Sequence, residues 1–165
     1  MKHIKKFKER ASKGALAAIM ATGLTGCNTG QSEQANTAVV KQNATVFIEK
    51  TDRGYKIADE FPSNETRVFL REKDAEGNMN ERLLSQAEID KLLKEENAKI
   101  DAGTSNLTNG NAQMSSGGMS LGEAILASAA GAIIGSWIGS KLFGSPGFNA
   151  ARQGAYSNPS AYSRS

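Results

Sequence analysis

The chain has 165 residues, 22% of them charged, 39% hydrophobic and 6% aromatic, which leaves room for one small domain. The formal charge of +3 is a poor guide to partners, because Lys2, Lys5, Lys6, Lys8, Arg10 and Lys13 stand against Glu9 alone in the first thirteen residues. Without that segment fourteen Lys and Arg face sixteen Asp and Glu, about −2, and nothing argues for a nucleic-acid partner.

Residues 1–13 form a positive segment, and residues 14–23 (GALAAIMATG) an uncharged apolar stretch. This is the shape of a secretory signal. Ten residues at 1.5 Å rise cover about 15 Å, half of a roughly 30 Å hydrocarbon core, so the stretch exports the chain without anchoring it. Leu24-Thr25-Gly26-Cys27 follows and resembles the lipobox of bacterial lipoproteins at all four positions. Cleavage after residue 26 then leaves Cys27 with an S-diacylglycerol group and an N-palmitoyl chain. Two or more acyl chains hold a protein stably in a membrane, so membrane lipid is the first expected partner. Acylation also explains a lone cysteine in an exported chain. Asn28 stands where Asp signals inner-membrane retention in some bacteria, which tilts the expectation towards the outer membrane.

Residues 27–43 read as the acylated N-terminus and a flexible tether, being polar and poor in aromatics. From residue 44 the pattern alternates. Thr45-Val46-Phe47-Ile48 and Tyr55-Lys56-Ile57 flank the turn Thr51-Asp52-Arg53-Gly54, a hairpin signal. Thr66-Arg67-Val68-Phe69-Leu70-Arg71, a turn over residues 73–78 and a short piece over 80–84 complete three or four strands. Ser85-Gln86-Ala87-Glu88 is a capping box that starts a helix with Ile89, Leu92, Leu93 and Ile100 on one face, and Gly103 ends it. Residues 44–103 are therefore expected to form a small α+β module. Residues 104–120 read as a second flexible linker and 145–165 as an unstructured tail.

Residues 124–140 (AILASAAGAIIGSWIGS) carry no charge and would measure about 25 Å as one helix, the lower edge of a membrane span. Gly131, Gly135 and Gly139 repeat every fourth residue, a spacing that admits close approach of another helix. Three readings stand for this segment of the apolar helix expected over 121–144. It self-associates at the membrane through the glycines, it packs as a soluble helix on the sheet or a partner, or it has little fixed structure. Trp137 and Lys141 near one end suit a membrane interface. The fold class expected is α+β: a small antiparallel sheet followed by an amphipathic helix, plus a separate glycine-rich apolar helix and disordered linkers.

The chemistry missing from the chain is informative. His3 lies in the signal and Cys27 is acylated, which removes Ser/His/Asp and Cys/His catalysis, Cys and His zinc sites, histidine haem ligation and CxxC redox chemistry. The acidic pairs Asp59-Glu60 and Glu95-Glu96 are expected as solvated surface, since adjacent residues point different ways. Asp74-Ala75-Glu76-Gly77-Asn78 lacks the closing glutamate of a calcium loop and reads as a turn. No enzyme, cofactor or metal site is expected.

Several strings carry a resemblance. Thr66-Arg67-Val68-Phe69-Leu70, Leu84-Ser85-Gln86-Ala87-Glu88-Ile89-Asp90-Lys91-Leu92, Asn106-Leu107-Thr108 and AILASAAGAI over residues 124–133 make the chain look like an uncharacterised family of epsilonproteobacterial lipoproteins. The resemblance implies a membrane lipoprotein acylated at Cys27 and brings no activity with it. The expected function is a structural or interaction role in the cell envelope, with self-association through the glycine helix and a protein partner the sequence does not identify. The alternative is a ligand-binding or accessory module of a membrane complex.

Overall fold

A computed structural model describes residues 41–108 and 118–163. Cys27, the signal and nearly all of the tether lie outside the described residues. Strand β1 (Ala44–Thr51) turns Ala44, Val46 and Ile48 inward, and β2 (Gly54–Pro62) returns antiparallel across the two-residue turn Asp52-Arg53. Gly54 takes φ 132° there, and a Cβ on it would lie 2.7 Å from the Met119 carbonyl. The Tyr55 amide donates to that carbonyl at 2.9 Å, so the strand edge is covered by residues 118–119.

Strands β3 (Arg67–Lys73) and β4 (Met79–Leu83) complete a sheet of order β2-β1-β3-β4. The α+β class is as expected, but the sheet is mixed: β1 and β3 run parallel. The reason is local. Strand β2 ends beside the start of β1, so residues 63–66 need only step over that end to begin β3 on its far side. Asn43 ties the step down, donating to the Asn64 carbonyl at 3.1 Å and accepting from the Thr66 hydroxyl at 2.9 Å, while its carbonyl accepts from the Ser63 amide.

Helix α1 (Gln86–Asp101) begins at the expected capping box, both bonds of which form, and Gly103 follows it at φ 69°. Its buried face is Ile89, Leu93, Glu96 and Ile100. The helices pack on the sheet face that carries Val46, Ile48, Ile57, Val68 and Leu70.

The apolar segment departs from the expected single helix. It is broken into α2 (Leu121–Ala127), α3 (Ala129–Ile134) and α4 (Gly139–Leu142), and it joins the core rather than standing apart. Six of the seven residues of α2 are buried, because α1, α3, α5 and the sheet surround it. A helix apolar all round belongs either in lipid or in a core, and here it is core. Among the described residues no helix is long and apolar enough to cross a membrane.

The expected tail is also structured: α5 (Pro146–Ala155) and α6 (Pro159–Tyr162) follow. Each opens on a capping side chain, Ser145 or Asn158, with proline at the first helical position, where a missing N–H costs nothing. The ends of the expected linker pack as well, since Ser105, Leu107 and Met119 are buried. Its residues 109–117 lie outside the described residues.

Candidate functional site

Of the residues singled out in the sequence, Cys27 lies outside the described residues. Gly131, Gly135 and Gly139 are described, and all three face atoms of their own chain. A Cβ on Gly131 would overlap the Leu126 carbonyl and lie 2.5 Å from that of Ile125. On Gly135 it would meet Leu126 Cδ2 at 2.5 Å, and on Gly139 the Phe143 ring at 3.0 Å. For Gly131 and Gly135 the close approach is made inside the molecule, where α3 folds back against the last turn of α2, while Gly139 faces the ring of Phe143.

Among the described residues three glutamates are buried: Glu60, Glu96 and Glu123. For Glu60 and Glu96 this corrects the expectation of solvated surface. A bulge at Ala58 is the cause for Glu60. The register passes from Phe47 opposite Asp59 to Ile48 opposite Ile57, so the alternation slips by one and Glu60 joins Ile57 on the inward face. Its carboxylate accepts from the Tyr156 hydroxyl at 2.9 Å and the Ala129 amide at 3.0 Å.

Glu96 accepts from the hydroxyls of Ser105 and Ser120 and from Lys99 Nζ, the last two at 3.2 Å. Glu123 closes a second capping box with Ser120 and accepts from the Asn106 amide at 3.0 Å and side chain at 3.1 Å. The pattern Ser120-Leu121-Gly122-Glu123 is a legible signal for this helix start, masked in the sequence by the Ser- and Gly-rich stretch before it. Each of these carboxylates is occupied in joining segments. Among the described residues no group of three or more His, Cys, Asp or Glu side chains is placed to hold a metal ion.

The surface that offers itself for binding is the other face of the sheet. Side chains directly opposite on paired strands point the same way. Asp59, Phe47, Phe69 and Leu83 thus form one row across the four strands, and Lys56, Glu49, Arg71 and Glu81 the next. None of these eight is buried. Phe47 stacks on Phe69 with centroids 5.2 Å apart and meets Phe61 edge-on at 6.3 Å, while the Arg71 guanidinium sits 4.2 Å above the Phe47 ring. Phe61 and Leu83 are 44% and 54% exposed. Odd-numbered phenylalanines opposite even-numbered Val46, Ile48, Val68 and Leu70 are visible in the sequence as a second apolar face. Among the described residues, surface clefts of about 300 Å³ and about 400 Å³ lie beside Thr45, Ser63 and Arg67 and beside Tyr156, Pro159 and Tyr162.

A protein-family model described as the UPF0323 lipoprotein domain matches residues 43–165, three quarters of the chain. The chain belongs to the UPF0323 lipoprotein family. A UPF0323 lipoprotein of Campylobacter jejuni is 55% identical over 168 residues, covering all of this chain and 82% of the relative. One from Helicobacter hepaticus is 47% identical over 171 residues, covering all of this chain and 78% of the relative. A Helicobacter pylori member is 40% identical over 173 residues, covering 99% of this chain and 78% of the relative. No solved structure matches. The expected epsilonproteobacterial lipoprotein family is thereby shown. The UPF0323 domain matched includes the sheet, the three buried glutamates and the broken apolar segment.

Proposed function

We propose that this UPF0323 lipoprotein is held at the cell envelope through acylated Cys27 and serves a non-enzymatic interaction role, presenting its α+β module beside the membrane. The observation that carries this reading is the lipobox, residues 24–27, placed sixteen residues before the first strand at Ala44. Those sixteen residues can span at most about 55 Å, which bounds the distance of the module from the bilayer surface. Support for an interaction role comes from the open aromatic face and from the engagement of the buried carboxylates in structural hydrogen bonds. Asn28 after the cysteine favours the outer membrane.

The test compares the native protein with a Cys27→Ala form exported through an engineered cleavage site, in cells fed a labelled fatty acid. The native chain is expected to carry label and to sediment with membranes, and on density separation with the outer membrane. The variant is expected to be unlabelled and soluble. A variant that stays in the membrane fraction would overturn the anchor at Cys27.

A further inference from the structure

We infer that the open face of the sheet takes a second copy of this chain, face to face. The argument lies in the order of its side chains. Reading from β2 to β4, one row runs Lys56, Glu49, Arg71, Glu81: plus, minus, plus, minus. Stacked sheets pack with their strands nearly aligned, about 10 Å apart. A two-fold axis parallel to the strands, midway between β1 and β3 and between the two sheets, reverses the order of the row and keeps its height. The reversed row reads minus, plus, minus, plus. Each charge then meets its opposite: Glu49 faces Arg71 of the second copy, Lys56 faces Glu81, and the reverse pairs follow by symmetry.

The same operation acts on the neighbouring row. Phe47 meets Phe69 of the second copy, so the aromatic patch lies at the centre of the contact. Asp59 falls opposite Leu83 at the rim, where water reaches both. The twist of stacked sheets displaces the outer columns most, so the match is best beside the axis, at Glu49, Arg71, Phe47 and Phe69.

The charges also speak against a lipid surface as the occupant. Lys56, Arg67, Arg71 and Lys73 on this face are interleaved with Glu49, Asp59 and Glu81, whereas a surface for anionic lipid carries one sign. Four strands about 4.8 Å apart and four rows about 6.8 Å apart make a footprint on the order of 400 Å², below the roughly 800 Å² per partner of a standard interface. A contact of that size is weak in free solution and is favoured when both copies share a membrane, which raises their effective concentration. To that extent the inference rests on the anchor at Cys27.

The test uses the full-length protein in its native membrane, as two copies with different tags, cross-linked through lysines and captured by one tag. Wild-type copies are expected to capture each other. Glu49→Lys makes the row plus, plus, plus, minus, and Arg71→Glu makes it plus, minus, minus, minus. Each variant alone sets like charges against each other at the axis, and capture should fall about tenfold, which corresponds to about 1.4 kcal/mol.

Mixed together, the two variants are complementary at all four positions and should capture each other at about the wild-type level. A chain carrying both changes also restores complementarity and shows that the fold tolerates them. If that chain self-associates but the mixture of single variants does not, the rescue is internal to one sheet and the proposed interface is overturned. Single variants that associate as wild type does would overturn it as well. Fatty-acid label on the same samples reads the anchor separately: label without capture removes the dimer, and capture without label removes the anchor.

Discussion

Glu60 and Arg152 act on opposite sides of the same peptide break. At Ser128 the backbone is extended, φ −75° and ψ 165°, and helix α2 stops where α3 starts. Glu60 accepts the amide of Ala129 at 3.0 Å, and Arg152 Nε donates to the carbonyl of Ala127 at 2.9 Å. An anion thus meets the amide end of one helix and a cation the carbonyl end of the other, each favourable to the helix dipole there. Both side chains are nearly fully buried, and each bonds one of the backbone groups that the break frees.

Glu60→Ala should therefore destabilise the exported Cys27→Ala protein strongly. It removes the acceptor of the Ala129 amide, at about 1–3 kcal/mol for a buried donor left unpaired, together with the bond from the Tyr156 hydroxyl. Tyr156→Phe removes one of those bonds and should cost less. Urea unfolding followed by circular dichroism reads both; a Glu60→Ala midpoint equal to that of the parent would sink this account of the break.

Gly131→Ala should cost at least about 1–3 kcal/mol, since its Cβ would press on two backbone carbonyls that have no rotamer to yield. A methyl added at Gly144 would have nothing within 4 Å, so Gly144→Ala is the control, neutral or up to about 1 kcal/mol stabilising. If the glycines instead served only contacts between molecules, Gly131→Ala would leave the unfolding midpoint unchanged.

The capping box of α1 should lose its effect in acid. The amide and hydroxyl of Ser85, helped by Arg82, hold the Glu88 carboxyl at about 2, below its ordinary 4.5. A carboxylate lowered by folding stabilises fully above its unfolded value, and that contribution disappears as pH falls from about 4.5 through about 2. The stability gap between wild type and Glu88→Gln should be present at pH 6 and shrink across that window. A gap that widened on acidification would contradict the bonding seen at Ser85.

Asn43→Ala should loosen the step between β2 and β3, by about 1 kcal/mol, through loss of its bonds to Asn64 and Thr66. Hydrogen exchange at the Ser63 amide reports it directly. Protection unaltered in the variant would show that the Asn43 side chain does not hold the crossing.

What can be read along the chain is whatever depends on near neighbours. The lipobox, the hairpin turn before Gly54, the capping box at Ser85 and the helical face of Ile89, Leu93 and Ile100 are each set by residues a few positions apart, and all are legible in the sequence. Ser120 with Glu123, Ser145 with Pro146 and Asn158 with Pro159 are equally local but lie in stretches whose Ser, Asn and Gly content suggests linkers. The parallel pairing of β1 and β3 follows from how a short loop steps over a strand end, which no periodicity encodes. The inward turn of Glu60 needs a bulge one residue long, and periodicity of two cannot register a single slip.

By its own composition the apolar run over 124–140 is compatible with lipid or with protein, because both remove the same side chains from water and both reward the same glycines. Long-range contacts settle it within the chain: Glu60, sixty-nine positions before Ala129, and Arg152, twenty-five after Ala127, supply the bonds that let the helix break and fold into the core. The signal-like segment, the lipobox-like motif and the helix starts are written locally. The fate of the apolar segment lies in side chains distant in sequence, whose charges are tolerable in the interior only once the fold has brought their partners to them.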